Sequence, residues 1–455
     1  MLHCTRGGYT CPICFAIPMT TRSYFTPDGD EPNLARLRTF VEVAQQGSAT
    51  RAADTLFRAQ SAVTRAVQEL EHELGAPLFE RRTSGMLPTP IGKCVLARAE
   101  RVFDELHTLA RWCASRREGA RPLQPGTLPS YLLGTRRLQI LATLAQSRHM
   151  PSAARSAGVT QPAISHAIKT LEAGAGLRLF QRGGKGLSLT PEGEVFALHV
   201  RRALNELRHI RDDIGELRGA IGGRVVVGAL PLGRTTILPA AAARIVTAWP
   251  GIAVTTDESP YEMLVSALRA GDVDFILGAL RPSDDHADIV TETLLVEGMV
   301  AVARAGHPLA GKRSLTFAQL GGARWILPRD HTPARRLLDT LFRREGIDSP
   351  VAVIESADLA VIRGVLMSTD MIAAVSAHQL QHEISSGELM ILPLPMPGTE
   401  RAIGLTLRRG AEPSPAARVM IDAIRTVVTR LTDDKPRPIR RRALAKPAAA
   451  LAGRA

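Results

Sequence analysis

The sequence predicts two all-α winged helix-turn-helix domains, each followed by a linker helix, and then an α/β unit of two lobes. Three observations predict this. Residues 37–92 align with 138–193 at a constant offset, without gaps and with about a third of the positions identical. Apolar residues at alternating spacings of four and three follow each copy. From residue 224 onward, strand-like runs alternate with helical stretches.

The aligned identities run from Ala44/Ala145 through Ala52-Ala53/Ala153-Ala154, Gln60/Gln161, Leu70-Glu71/Leu171-Glu172 and Leu78-Phe79/Leu179-Phe180 to Thr89-Pro90/Thr190-Pro191 and Gly92/Gly193. Each copy begins with an apolar helix (Leu37, Phe40, Val41, Ala44; Leu138, Leu141, Leu144, Ala145). A short Ala-rich helix follows (Ala52–Leu56; Ala153–Ala157), and Gly158-Val159 makes a tight turn in the second copy. The next helix buries one stripe, Val63, Val67, Leu70 or Ile164, Ile168, Leu171. Its other face carries Gln60, Ser61, Thr64, Arg65 and Gln68 in copy one. In copy two it carries Gln161, Ser165, His166 and Lys169, with Pro162 in the first turn, where a missing N–H costs nothing. These are hydrogen-bonding groups suited to base edges and phosphates in a major groove. A short basic hairpin lies behind each helix, with Arg82 in one and Arg182 and Lys185 in the other, as a wing on the sugar–phosphate backbone requires.

Charge agrees. Of a formal net charge of +13, residues 1–221 hold about +9 and residues 432–455 about +5, which leaves 222–431 near zero. A basic front half with a neutral back half fits a polyanion-binding module joined to a different one.

The heptad stripes are Val95, Ala99, Val102, Leu106, Leu109, Cys113 and Phe196, Val200, Ala203, Leu207, Ile210, Ile214, Leu217, Ile221. Arg116 ends the first, and Gly119, Pro122, Pro125, Gly126 and Pro129 mark a flexible connector. Strands are expected at Val225–Leu230, Ile252–Thr256, Phe275–Leu277, Trp325–Leu327, Val351–Ile354, Met371–Val375 and Ile403–Leu407. Helices are expected at Thr236–Ala248, Tyr261–Ala270, Pro333–Glu345, Ala357–Met367 and Pro415–Leu431. This alternation predicts parallel sheets. A ligand would then sit at strand ends, among the loops Leu230 to Thr236, Gly278 to Arg281, Arg329 to Pro333 and Ser376 to His378. The chain has no G-x-S-x-G, H-E-x-x-H or phosphate-binding G-x-x-x-x-G-K, so no enzyme is expected. Asp272 and Asp274 read as solvated strand-edge residues, and His286, His307, His331 and His378 as surface or loop histidines.

Cys4, Cys11 and Cys14 cluster at the N-terminus, and Cys11-Pro-Ile-Cys14 with His3 could in principle supply four zinc ligands. The surrounding Pro/Gly/Thr-rich composition favours an unstructured extension, so neither a metal nor a cofactor is expected. Five cysteines without a framework fit a reducing, cytoplasmic compartment. No run reaches the ~18 apolar residues of a membrane span, and the apolar run Cys11–Met19 is too short and proline-rich for a signal peptide.

Gln161-Pro-Ala-Ile-Ser, Leu179-Phe180-x-Arg182 and Leu189-Thr190-Pro-Glu-Gly193 resemble the helix-turn-helix signature of LysR-type transcriptional regulators. Asp274-Phe-Ile-Leu-Gly and the run Ala303 to Pro308 look like that family's effector domain, and the duplicated front half resembles the subgroup named for the galactose-binding-protein regulator. Copy one departs from the signature at Ser61, Thr64 and Pro88.

The resemblance covers residues 33–431. It implies a double-stranded DNA operator, a small-molecule inducer such as a sugar, sugar acid or other small organic acid, and a type 2 periplasmic-binding-protein-like effector domain with crossovers near 299–302 and 393–396. Thr235, Thr236, Gly278 and Thr332 would donate hydrogen bonds to the effector. Arg234, Arg329 and Arg335 would grip a carboxylate or polyhydroxy group, with Leu230, Pro231 and Ser376 beside them. A homo-oligomer through the linker helices is expected, although one chain owns two such helices and could pair them internally. The expected boundaries are an extension 1–32, domains 33–92 and 134–193, linkers 93–117 and 194–221, a connector 118–133, an effector domain 222–431 and a basic tail 432–455.

Overall fold

The structure, a computed structural model, describes residues 31–82, 85–117, 126–183, 186–281, 287–330, 332–350 and 352–433. The cysteine-bearing extension and the basic tail from 434 lie outside the described residues, as do Lys185, His286 and His331.

The front half opens with α1 (Leu34–Gln46), α2 (Ala49–Thr55) and α3 (Gln60–Leu74), the hairpin β1 (Phe79–Arg82) and β2 (Gly85–Pro88), and the long α4 (Pro90–Ser115). The same order then recurs as α5 (Thr135–Ser147), α6 (Met150–Ser156), α7 (Gln161–Ala175), β3 (Phe180–Gly183), β4 (Gly186–Leu189) and α8 (Pro191–Leu217).

Local causes repeat too. Thr89 and Thr190 cap α4 and α8, each accepting from the amide three residues on at 2.9 Å, with proline at the first helical position. The amide donors belong to Gly92 and Gly193, where a Cβ would lie 2.1 Å from the Leu78 carbonyl oxygen and 2.0 Å from that of Leu179. Glu71 and Glu172 accept from the amides of Leu78 and Leu179 at 2.7 and 2.8 Å, which fastens each hairpin to the helix before it.

Even the strain is shared. Among the described residues the non-glycine positions with positive φ are Phe57 (53°) and Arg148 (51°), and their repeat equivalents are Gly158 (62°) and Gly47 (64°). Each copy holds a side chain where the other has glycine, at ~1–2 kcal/mol for the left-handed backbone. The fold dictates that conformation whatever the residue.

Helices α4 and α8 run antiparallel and press their apolar seams together. Val95, Ala99, Val102, Leu106, Leu109 and Cys113 are buried, as are Phe196, Val200, Ala203, Leu207, Ile210 and Ile214. One continuous core runs through both copies. The two seams therefore fill each other within one chain, the internal pairing that two such helices in one polypeptide allow. Leu217 is exposed and Ile221 lies past the end of α8, packed on the core of the first lobe, so the second seam ends at Ile214, about two turns earlier than its pattern suggests.

The back half continues with β5 (Gly223–Ala229), α9 (Pro231–Arg234), α10 (Ile237–Ala248), β6 (Ile252–Asp257), α11 (Tyr261–Ala270), β7 (Phe275–Ala279) and β8 (Ile289–Glu297). The chain crosses at Gly298 into β9 (Met299–Arg304), β10 (Trp325–Leu327), α12 (Pro333–Arg344), β11 (Ala352–Glu355), α13 (Leu359–Ser368), β12 (Ile372–Ser376), α14 (Gln381–Ser385) and β13 (Leu389–Ile391). It returns through residues 392–400 to β14 (Arg401–Arg408) and α15 (Pro415–Asp433).

Each lobe is one five-stranded sheet, ordered β6-β5-β7-β14-β8 in the first and β11-β10-β12-β9-β13 in the second. The expectation of wholly parallel sheets is corrected. β14 runs antiparallel to β7 and β8, and β9 antiparallel to β12 and β13. Strands joined by helical crossovers are parallel, whereas those at the two passages between lobes enter from the opposite end.

Two smaller expectations also change. Asp272 is buried and Asp274 half-buried rather than solvated: Asp272 pairs with Arg201 and accepts from Gln146, and Asp274 accepts from the Val226 amide at 2.7 Å. His307 is buried within its own turn, accepting from the Leu309 amide at 3.1 Å, while its other ring nitrogen lies 3.2 Å from the Asp370 carbonyl.

Candidate nucleic-acid interface and effector cleft

On α3 the stripe Val63, Ala66, Val67, Leu70, Leu74 is buried and Gln60, Ser61, Arg65 and Gln68 are exposed, with Thr64 half-buried. On α7 the stripe Ile164, Ala167, Ile168, Leu171, Ala175 is buried and Gln161, Pro162, His166 and Lys169 are exposed, with Ser165 half-buried. The predicted interface residues therefore share one solvent-facing side in each copy. The two faces differ in charge: Arg65 donates to Glu69 at 2.8 Å, while the repeat equivalent of Glu69 is Thr170. Arg182 is exposed on β3, and Arg82 lies on β1.

Contacts between the copies recur with roles exchanged. Arg98 of α4 pairs with Glu206 of α8 at 2.8 Å; their repeat equivalents, His199 and Glu105, pair at 2.7 Å. Arg117 donates to the Ala175 carbonyl at 2.8 Å, and its equivalent Arg218 donates to the Gly75 carbonyl at 2.6 Å. The Leu34 amide donates to Thr135 Oγ1 at 3.0 Å, 101 residues along the chain, so two equivalent positions touch. These exchanges define a pseudo-two-fold axis through the helix pair.

Arg98 is 2% exposed and joins three parts of the molecule. It donates to Asp213 at 2.7 Å, to Glu206, and to the carbonyls of Glu412 and Pro413 ahead of α15 at 2.8 and 3.2 Å. Burial opposes its charge, but Asp213 and Glu206 outweigh that and raise its pKa. Arg202 similarly ties α8 to the first lobe through Asp288 at 2.7 Å and the Arg269 carbonyl at 2.6 Å.

Between the lobes lies a cleft with apolar walls. Leu230, Pro231, Leu232, Leu280, Met299 and Ile326 line it, and Thr332, Arg281 and Arg401 reach it. Arg401 donates to Ser376 Oγ at 2.9 Å, and its Nε is buried without a partner. Burial pulls the Arg401 pKa below its usual value, with the Glu297 charge opposing. Thr235 and Thr236 line an adjoining cavity with His378 and Gln379. Thr235 Oγ1 is buried without a partner there, whereas Thr236 Oγ1 donates to the His378 carbonyl at 2.9 Å.

His378 joins the lobes, pairing with Glu297 and touching the Leu232 carbonyl at 3.1 Å. Burial alone would lower its pKa, but the Glu297 carboxylate outweighs it and holds it above the ordinary histidine value. It is thus an interlobe residue, not a surface one.

Other expected effector residues are otherwise engaged. Arg335 is ringed by Asp330 at 3.1 Å, Asp339 at 3.0 Å and Glu355 at 3.2 Å, and its charge is spent on them. Thr332 caps α12 through the Arg335 amide at 3.2 Å. Gly278 packs beneath Leu230, where a Cβ would meet the Leu230 Cβ at 2.4 Å. Ser376 lies fully buried under Arg401, and Arg234 and Arg329 line neither cavity. Arg401 went unnoticed in the sequence, where nothing local separates it from other strand arginines. Among the described residues no group of acidic, histidine and cysteine side chains could hold a metal, and no helix is long and apolar enough to cross a membrane.

Polar recognition helices joined to an interlobe cleft define a DNA-binding transcriptional regulator that responds to a small molecule. The family profile described as "Bacterial regulatory helix-turn-helix protein, lysR family" matches residues 34–93 and again 135–194, and "LysR substrate binding domain" matches 218–429. Over 405 residues the chain is 49% identical to the HTH-type transcriptional regulator GalR of Pseudomonas putida, covering 88% of this chain and 99% of that one. Over 300 residues it is 29% identical to the regulator PcaQ of Agrobacterium fabrum, covering 66% and 96%. A full-length OxyR variant from Pseudomonas aeruginosa shares the fold with a TM-score of 0.51 at 24% identity, covering 64% of this chain and 97% of that one. The chain belongs to the LysR family of transcriptional regulators and is not an enzyme.

Proposed function

We propose that this regulator binds its operator as a single-chain clamp. Residues 33–92 and 134–193 act as two winged helix-turn-helix domains, and α4 and α8 take the place of the linker helices of two separate chains. The exchanged contacts across α4 and α8 carry this reading. A continuous core fixes both recognition helices on one body, so one polypeptide presents two reading heads. Both would use the exposed side chains of α3 and α7 in the major groove, with Arg82, Arg182 and Lys185 on phosphates, in the cytoplasm. The chain is tested by footprinting one operator and measuring the mass of the complex. One chain across two half-sites is expected; two chains across the same two half-sites would refute the clamp.

The effector domain, residues 222–431, would hold its ligand between the lobes. Apolar walls leave few partners for the hydroxyls of a sugar, each of which costs free energy when buried unpaired. One buried guanidinium with a spare donor suits a carboxylate. A small organic acid is therefore the favoured inducer over a neutral sugar. A thermal-shift screen checks this, since a ligand at a hundredfold excess over its Kd raises stability by ~2.7 kcal/mol. Stabilisation by neutral sugars and not by organic acids would overturn it.

A further inference from the structure

A two-fold protein reads a palindrome, because each base contact recurs on the opposite strand. Here the frame is two-fold and the reading heads are not. Across the axis, Gln60 and Gln161 are the same residue. The other predicted interface positions on the two helices differ: Ser61 against Pro162, the half-buried Thr64 against Ser165, Arg65 against His166, Gln68 against Lys169. These pairs differ in what they can read. A glutamine can bond an adenine edge through two bonds, and a lysine suits guanine or phosphate. The threonine methyl can pack on a thymine methyl that serine leaves uncovered. Arg65 shares its guanidinium with Glu69 at 2.8 Å, whereas its equivalent His166 has the neutral Thr170 one turn further on.

The effector unit breaks the symmetry as well. Arg101 and Arg202 are repeat equivalents, yet Arg101 donates to the Gly410 carbonyl at 3.1 Å and Arg202 to Asp288 at 2.7 Å. One effector domain grips the two sides of the helix pair by different segments. The two orientations of the clamp on DNA are therefore different complexes.

We propose that the chain recognises a composite, non-self-complementary operator: two half-sites in inverted orientation, alike where Gln60 and Gln161 read and different elsewhere. It consequently binds duplex DNA in one direction, with its effector domain disposed toward a fixed side of the site. The proposal rests on the reading that both helix-turn-helix units contact DNA.

The test is selection of sites by the full-length protein from a randomised duplex library, at fixed salt. Affinity is then measured for the selected site and for the two palindromes built by copying either half-site. A composite site is expected, with each palindrome bound about tenfold more weakly or worse. Changing α3 to the copy-two face (Ser61→Pro, Thr64→Ser, Arg65→His, Gln68→Lys) is expected to move selection to one palindrome. The reciprocal pair His166→Arg and Lys169→Gln shifts it toward the other. Selection of a palindrome by the unmodified chain would overturn the proposal and leave DNA binding intact, as would an α3 variant that selects the original site. Binding without any sequence selection would overturn the operator reading itself, and the proposal with it.

Discussion

Replacing Arg98 with alanine tests the junction of the three parts of the molecule. The substitution leaves Asp213, whose two oxygens accept from Arg98 at 2.7 and 3.3 Å, as a buried carboxylate short of a cation, and leaves Glu206, which accepts from Arg98 at 2.8 Å, with Arg408 alone at 3.4 Å. It also strips the carbonyls of Glu412 and Pro413 of a donor. Removing one partner of a buried ion pair costs about 3–5 kcal/mol, since the remaining charge keeps its desolvation penalty. For a domain of this size that lowers Tm by roughly 10 °C.

The repeat supplies an internal control. His199 occupies the equivalent position, but it and Glu105 are 15% and 20% exposed, so water reaches the carboxylate that the substitution leaves behind. His199→Ala should cost about 1 kcal/mol or less. Arg98→Met combined with Glu206→Gln and Asp213→Asn should recover much of the loss, because it removes the stranded charges. Calorimetric unfolding of the full chain measures all three. If Arg98→Ala came within about 1 kcal/mol of His199→Ala, the idea of a buried electrostatic node would fail.

Other outcomes follow from single sites. Gly193→Ala drives a Cβ into the Leu179 carbonyl at 2.0 Å and should cost at least about 2 kcal/mol by urea denaturation; an unchanged midpoint would refute the close approach. Phe57→Gly relieves a left-handed backbone at an exposed position and should raise stability by about 1 kcal/mol. Burial raises the Asp274 carboxyl from 3.8 to about 6, so its folded pKa exceeds its unfolded one. Stability is then fullest below the unfolded value and falls as pH rises toward about 6, by on the order of 3 kcal/mol. Asp274→Asn should flatten that part of the pH–stability curve, and a curve of unchanged slope would refute the assignment. Arg401→Gln should weaken an organic-acid effector about tenfold or more by calorimetric titration, through loss of a charge-assisted hydrogen bond.

The front half was legible because repetition speaks through residue identity. Glu71/Glu172, Thr89/Thr190 and Gly92/Gly193 each proved to hold the same local contact in both copies. The seam residues were readable from spacing, except Leu217, where the partner helix has run out, and Ile221, which lies beyond α8 and packs on the first lobe. Strands β8, β9 and β13 were missed. The stretch from Ile289 to Arg304 reads as one unbroken run, and only tertiary structure divides it between lobes at Gly298. Parallel pairing was over-extended for the same reason, since direction depends on which lobe a strand enters from. Arg98 looked like an ordinary polar position beside the seam, because its acidic partners lie 108 and 115 residues away. Arg335 looked available, but the carboxylates that occupy it lie partly outside its own helix.

The pairing of α4 and α8 within one polypeptide would, on the clamp reading, also change how the regulator behaves in a cell. Subunits held together by association alone separate on dilution and can trade partners with related proteins. A covalent tether keeps the second helix at an effective concentration of about millimolar however few molecules are present. Such a chain would remain competent at very low copy number and could not form mixed species with paralogues through this seam.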